Sequence, residues 1–295
     1  MVTIILEMDL ISYWVKRMNK NEILALGKAS AKGERTQKHI PSKIQADTLF
    51  TFTTELDYII PIIKCKMVSP RYCEEDIKYL KIPHLKKIAY PMKCFCDINM
   101  HRLEEHLQWY GYYGLAFSKA WGMQKQIQPI QYINPDSNLR KDFSTAFSAA
   151  LKLDMQKESK AQLKMKSFLL HEMMYYKPYE GKMKNRNTGR IEKKCFTDEC
   201  EWRFIPDATK AGFEPAYFDE SILNAGVLSE LSNSMFGIQE ISLNFDYADL
   251  KYIIVKSVSD FDVLTKEIVS LGLNKSEEHQ LISKVIIWDL SKGDF

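Results

Sequence analysis

The chain has 295 residues, of which 45% are hydrophobic and 27% are charged, and its formal net charge is +3. This length allows one large domain or two smaller ones, and the hydrophobic content predicts a sizeable core and excludes intrinsic disorder. So small a net charge gives no overall electrostatic case for a nucleic-acid partner, and no stretch is long and apolar enough to predict a membrane span.

The beginning of the chain and its cysteines indicate a cytoplasmic protein. The apolar run MVTIIL is too short for a signal peptide and is interrupted by Glu7 and Asp9. Six cysteines in a chain of this length are typical of reduced thiols rather than a disulfide framework. We predict no metal, and the alternative is a zinc site whose ligands would be Cys94, Cys96, Cys195 and Cys200.

Residues 1–45 are predicted to form a helical extension and linker. DLISYWVKRMNKNEILALGK places apolar residues at helical spacing, and the polar segment after it is typical of a linker. From residue 16 to 43 there are eight Lys or Arg against two Glu. This basic segment is either a solvated helix or a docking surface for nucleic acid or an acidic protein.

Residues 46–295 are predicted to form one domain, which begins with a strand at TLFTFT. KIAYPMKCFCDI is the next strand, and Pro91 within it indicates an edge or a strand entry. A short helix follows at NMHRLEEHLQWYG.

The stretch HLQWYGYYGLAFSKAWG is rich in aromatic residues around two glycines. Glycines here indicate a tight turn or a close approach of two backbone segments. Aromatic rings at such a turn can line a site for a flat ligand such as nicotinamide, and the alternative is core packing. The candidate ligand-binding residues are His106, Tyr110, Gly111, Tyr113, Gly114, Ser118, Lys119 and Trp121.

A long helical pattern, of one helix or two, then leads to a basic loop, KPYEGKMKNRNTGRIEKK. The loop carries seven Lys or Arg against two Glu, and NRNTGR is predicted to be a turn. A positive, glycine-containing loop suits a phosphate or pyrophosphate group, which makes Lys182, Arg186 and Arg190 candidate ligands. The alternative is a solvated surface loop.

The loop leads into a strand at EWRF. Alternation predicts Trp202 and Phe204 on a buried face, with Glu201 and Arg203 together on the opposite, polar face. Arg203 could hold Glu201 ionised or bind phosphate, so the two are candidate catalytic residues. The alternative is a structural ion pair on the face of a sheet.

The last third of the sequence predicts helices alternating with strands. YIIVKSV and VIIWDL are continuous apolar runs, which are typical of strands buried on both faces. The predicted fold class is therefore α+β, with a mixed or antiparallel sheet flanked by helices.

Several motifs together resemble the AbiGi family of bacterial abortive-infection proteins. They are PMKCFCDI, HLQWYGYYGLAFSKAWGMQKQIQPIQYIN, YYKPYEG, DECEWRFIP and SKVIIWDL, in an order that extends from about Leu49 to the end of the chain. The resemblance implies a role in phage resistance and an antitoxin function. A partner would then be a cognate toxin or antitoxin protein, or a phage component.

The layout also resembles ADP-ribosyltransferases of the DarT type. That resemblance implies an ADP-ribosyltransferase-like fold, NAD as the cofactor and Glu201 as the catalytic glutamate, with LFTFTTELDYIIPII as the early element that grips NAD. Thr51 and Thr53 stand where such enzymes have a histidine. Two functions are therefore open: a nucleotide-transfer effector in phage defence, and a non-enzymatic antitoxin or sensor.

Overall fold

The structure, a computed structural model, describes residues 40–152, 159–218 and 221–294. The predicted helical extension lies almost wholly outside these residues, so its boundary at residue 45 stays a prediction. The division of the chain into 1–45 and 46–295 likewise stays a prediction.

Fourteen strands are present in the described residues. They are β1 Thr48–Thr53, β2 Met67–Val68, β3 Arg71–Asp76, β4 Lys87–Cys96, β5 Tyr113–Ser118, β6 Gln128–Pro129, β7 Gln131–Ile133, β8 Tyr176–Pro178, β9 Glu180–Lys184, β10 Ile191–Cys195, β11 Glu201–Phe204, β12 Leu243–Asn244, β13 Leu250–Val255 and β14 Val285–Ile287.

Nine α-helices accompany these strands in the same part of the chain. They are α1 Ile59–Cys65, α2 Leu103–Tyr110, α3 Lys119–Gln124, α4 Asn138–Leu151, α5 Lys160–Met174, α6 Ala225–Ser234, α7 Val258–Ser270, α8 Lys275–Ile282 and α9 Trp288–Ser291. Each helix of the described ranges is too short or too polar to cross a lipid bilayer.

One eight-stranded sheet organises the fold. Its order is β14-β13-β5-β1-β4-β11-β6, with β3 paired to β4, and every pair is antiparallel except β13 with β14. Three two-stranded sheets, β9 with β10, β2 with β12 and β7 with β8, lie outside it. The predicted α+β class with a mixed sheet is therefore confirmed.

Helices and loops cover both faces of the large sheet. Leu49, Phe95 and Phe117 belong to one apolar cluster, which continues into α1, α7 and α8. Phe50 and Cys96, their neighbours along the strands, belong to a cluster that includes residues of α2 and α9. Because successive side chains of a strand point to opposite faces, the sheet is buried on both sides.

Two local predictions are corrected by the structure. The basic loop is instead a β-hairpin, β9–β10, with its predicted turn between the strands. Pro91 lies inside β4 rather than at its entry, at a position where β3 pairs with it through Tyr72.

The two glycines of the aromatic stretch have the tight surroundings that the sequence predicts. Gly111 ends α2 with φ +105°, and a Cβ there would lie 2.1 Å from the carbonyl oxygen of Thr53. Gly114 pairs with Phe52 in the sheet, and a Cβ would lie 2.4 Å from the Phe52 ring. Only glycine fits at residue 111, because both its φ and the neighbouring backbone exclude a side chain.

We predict that Gly111→Ala lowers the free energy of unfolding by about 3 kcal/mol or more, because the strained φ adds to a clash with fixed backbone. The matched control is Gly189→Ala, since Gly189 also has a positive φ, +72°, but nothing lies within 4 Å of its Cβ position. That control should lose only about 1–2 kcal/mol. Urea-induced unfolding measures both, and equal losses would refute the close contact.

Candidate functional site

Packing covers the polar face of β11 more completely than its apolar face, which corrects the prediction that Trp202 and Phe204 lie on the buried face. Glu201 and Arg203 are 5% and 0% exposed, whereas Trp202 and Phe204 are half-buried. Glu201 pairs with Cys96 and Arg203 with Cys94, both in β4. The pattern of alternation was identified correctly, but tertiary packing also buries the charged face.

Glu201 lies at the centre of a buried network of ion pairs. One carboxylate oxygen, Oε1, accepts a hydrogen bond from Arg203 Nε at 2.6 Å. The other, Oε2, accepts one from Lys177 Nζ, also at 2.6 Å. The backbone N–H of Glu201 donates to the hydroxyl of Tyr132 at 2.8 Å. Both carboxylate oxygens therefore already hold a cation.

A second carboxylate, Glu199, faces the same lysine. Lys177 Nζ lies 2.6 Å from Glu199 Oε2, so a single ammonium group bridges two glutamates. Glu199 ends the short 3-10 turn Phe196–Glu199, and Cys200 after it has φ +42°, in the left-handed region. The chain therefore bends between the two glutamates that bind the same ammonium group.

Lys194 connects the β9–β10 hairpin to this network. Its Nζ lies 2.8 Å from Glu199 Oε1. It also lies 4.5 Å from the ring centre of Trp109 and 4.4 Å from that of Tyr110, both in α2. Cation–π contacts of this kind are strengthened where water is excluded, so the lysine fastens the hairpin against α2.

Arg203 completes the network with three further groups. One of its terminal nitrogens, Nη1, donates to the Tyr90 hydroxyl and to the carbonyl of Met174. The other, Nη2, lies 3.4 Å from a carboxylate oxygen of Glu75. The network then contains three cations and three carboxylates, so it is neutral overall: Lys177, Lys194, Arg203, Glu75, Glu199 and Glu201.

Mutual pairing keeps Glu201 and Lys177 charged despite their burial. Burial alone would raise the pKa of Glu201, but the charges of Arg203 and Lys177 outweigh it and hold that pKa well below its usual range. Burial likewise opposes the charge of Lys177, and Glu201 and Glu199 nevertheless raise the pKa of this lysine. Glu201 and Lys177 thus form an ion pair at neutral pH.

Four of the predicted ligand-binding residues border this network. The Tyr110 hydroxyl donates to Glu199, and the Tyr110 ring stacks on His106 at 4.5 Å. The Arg186 guanidinium lies 5.3 Å from the Tyr110 ring centre, and its backbone N–H donates to the Trp109 carbonyl. Gly111 ends the same helix, so the aromatic stretch and the basic segment meet here.

The other predicted residues of the aromatic stretch lie elsewhere in the sheet. Tyr113 and Gly114 pair with β1, and Ser118 accepts a hydrogen bond from the backbone N–H of Trp121 as the cap of α3. Lys119 is buried in a separate ion pair, with Nζ 2.7 Å from Asp97. Trp121 is 3% exposed and stacks on a phenylalanine in the apolar core.

The remaining predicted residues, Lys182 and Arg190, lie on the hairpin and are exposed. Lys182 lies on the face of the hairpin opposite Lys194, which is the hairpin residue that contacts Glu199, and Arg190 lies in the turn. Catalytic and ligand-binding roles for the predicted residues stay predictions.

Sequence reasoning missed most of the network. Lys177, Glu199, Lys194 and Tyr90 were not candidates, although each contacts Glu201 or its partners. One signal was available: Lys177 stands between aromatic residues in YYKPY, and a lysine among apolar neighbours is often buried with a carboxylate. Nothing in the local pattern, however, indicates that β8 lies beside β11.

Metal binding finds no support in the described residues, where no group of three or more His, Cys, Asp or Glu side chains is arranged to hold an ion. The four cysteines of the zinc alternative are among these residues and do not form such a group.

Comparison with known proteins identifies relatives of the chain. Residues 66–256 match a family described as "Putative abortive phage resistance protein AbiGi, antitoxin". A curated protein from Lactococcus lactis subsp. cremoris, named "Abortive phage resistance protein AbiGi", is 33% identical over 250 residues. The alignment covers 77% of this chain and 98% of that relative. Comparison with solved structures found no match.

We predict that Glu201→Gln, which keeps the shape of the side chain and removes its charge, lowers the free energy of unfolding by about 3–5 kcal/mol. The reason is that Arg203 and Lys177 would remain buried with one fewer counter-charge. Glu192→Gln, at an exposed residue of the hairpin, is the control and should change stability by about 0.5 kcal/mol at most. Urea-induced unfolding measures both variants, and equal effects would contradict the structural role of the charge.

The double variant Lys177→Gln with Glu201→Gln should recover part of that loss. It removes one cation and one carboxylate, and it leaves the Lys194–Glu199 and Arg203–Glu75 pairs in place. If the losses of stability of the two single variants simply add up in the double variant, the two charges do not interact.

The stability of the protein should also depend on pH through His106. Burial of the His106 ring, which stacks on Tyr110, lowers its pKa from 6.5 to about 3. The folded state therefore binds fewer protons than the unfolded chain, so this contribution to stability is complete above pH 6.5 and declines as the pH falls towards 3. Burial lowers the pKa of His171 in the same direction.

His106→Phe should therefore reduce the loss of stability between about pH 6.5 and 5 by up to about 1.4 kcal/mol per pH unit. Urea unfolding at several pH values gives the slope, with Glu192→Gln, which retains both imidazoles, as the control. An unchanged slope in His106→Phe would mean that the ring is protonated in the folded state.

Proposed function

Because this chain belongs to the AbiGi family, we propose that it works as an antitoxin by binding a partner protein rather than by catalysing nucleotide transfer. It is an abortive phage resistance protein of the AbiGi type. The antitoxin in the family description supports a toxin as the partner. The other binding role is that of a sensor, for which the partner would be a phage component.

The burial of Glu201 is the observation that carries this proposal. In a transferase of the DarT type, the catalytic carboxylate would have to border a cavity that admits NAD and its acceptor. Glu201 is 5% exposed, and both of its oxygens already bind a cation at 2.6 Å. A carboxylate in this arrangement stabilises the fold, and its charge is not available to a developing oxocarbenium ion.

Two of the residues predicted to bind NAD lie in closed surroundings, which also supports a binding role. Trp121 and Lys119, which were to line the ligand site, are 3% and 5% exposed. Lys119 is neutralised by Asp97, and Trp121 is enclosed by phenylalanine rings. The exposed cations of the hairpin are available to a partner, and the hairpin residue that reaches inward, Lys194, contacts Tyr110 and Glu199 rather than Glu201. These positions support a binding surface and no nucleotide site at Glu201.

The test uses the charge-neutral double variant Lys177→Gln with Glu201→Gln, because it removes the carboxylate with the least damage to the fold. We expect host cells that carry it to restrict phage plating as well as cells with the wild-type chain, at a temperature where both proteins are folded by circular dichroism. Loss of protection in a folded variant would favour catalysis by Glu201. Transfer of label from biotinylated NAD to protein, abolished by this variant, would overturn the proposal outright.

A further inference from the structure

The outward face of the β9–β10 hairpin carries three lysines around an isoleucine. Lys182 pairs directly with Lys193, and Lys184 pairs with Ile191, so all four side chains project from one face. The three lysines are exposed, and Ile191 is 71% exposed. We call these four residues the lysine face. The opposite side of the hairpin carries Met183 and Lys194, which contact Tyr110.

The charges of the lysine face have no carboxylate partner among the residues that the structure describes. Across the described ranges, no carboxylate lies within 4 Å of the ammonium group of Lys182, Lys184 or Lys193, whereas Lys194 on the inner side has Glu199 at 2.8 Å. Like charges placed opposite one another on two strands destabilise a hairpin. Arg186 and Arg190 in the turn are exposed and add positive charge beside this face.

The hairpin is nevertheless held firmly against the body of the protein. Asn187 Nδ2 donates to the carbonyls of Leu107 and Gln108 at 3.0 and 2.8 Å, so the turn caps the end of α2. Asn185 Oδ1 accepts from the backbone N–H groups of Asn187 and Thr188 within the turn. Because the hairpin is already ordered, its charged surface loses little conformational entropy when it binds a partner.

We infer that the lysine face is the surface on which this chain docks its protein partner, and that the partner presents an acidic surface with an apolar centre. This inference rests on the proposed binding function and names its site. Carboxylates of the partner would neutralise Lys182 and Lys193, which repel one another in the free protein, and an apolar side chain would cover Ile191.

Ile191 favours a protein over a nucleic acid as the occupant. Single-stranded nucleic acid is held by lysines that track phosphates and by aromatic rings on which bases stack. The side chain between the lysines is aliphatic instead, which suits the apolar centre of a protein interface surrounded by charged residues. Nucleic acid is therefore an outcome that the experiment must distinguish.

The experiment places a photoreactive group in the lysine face of the full chain, Ile191→p-benzoylphenylalanine, in phage-infected host cells. We expect irradiation to give a protein adduct whose cross-linked peptide, mapped by mass spectrometry, is rich in Asp and Glu. Lys182→Glu with Lys193→Glu should reduce the adduct and the protection against phage by roughly tenfold or more. The matched control is Lys141→Glu with Lys164→Glu, two exposed lysines on α4 and α5, and should change neither.

Each contrary outcome overturns the inference. A nuclease-sensitive adduct would identify nucleic acid as the occupant, and an adduct equally strong in the charge-reversed variant would show that the lysines do not recognise it. If the charge-reversed chain is folded and still protects fully against phage, the lysine face has no role in protection. This holds whichever adduct forms. Failure of the proposed function gives a different result from failure of this inference. It appears as loss of protection in the folded Lys177→Gln with Glu201→Gln variant, in which the hairpin is intact.

Discussion

The ammonium group of Lys177, shared between Glu199 and Glu201, is the interaction on which this part of the fold depends. An isolated charge in a protein interior costs several kcal/mol, so each buried ion here requires its partner. Lys177 comes from β8, outside the large sheet, and its two carboxylates come from the segment that enters β11. Pairing therefore fixes the position of the small β7–β8 sheet relative to the large one.

The same network fixes the hairpin, and this connects stability to function. Lys194 reaches inward to Glu199, while Lys182 and Lys193 on the other face of the same hairpin point outward without a carboxylate within ion-pair distance in the described residues. Charges on one side of the hairpin are thus satisfied within the protein, and those on the other side are available for a partner. An ordered hairpin that presents cations without carboxylate partners among the described residues favours specific association with an acidic partner.

The fold was predicted from strand periodicity and turn residues, whereas the function was predicted from motif order and from the chemistry of Glu201. Strand periodicity located β1 and β11 correctly, and turn chemistry located the end of the hairpin at 185–190. The motif order implied the AbiGi family, which the relatives confirm. The resemblance to a transferase depended on the chemistry of Glu201, and chemistry depends on access, which a strand pattern does not report.

The sequence by itself determined local conformation, because backbone preferences and side-chain periodicity act between residues close in the chain. It specified that Glu201 and Arg203 share one face of a strand, and that Gly111 occupies a position closed to side chains. Only the tertiary structure decided that this face is buried and that Lys177 neutralises it. That decision depends on contacts between segments 24 residues apart and more, where β8, β10 and α2 converge, and no local pattern encodes which segments meet.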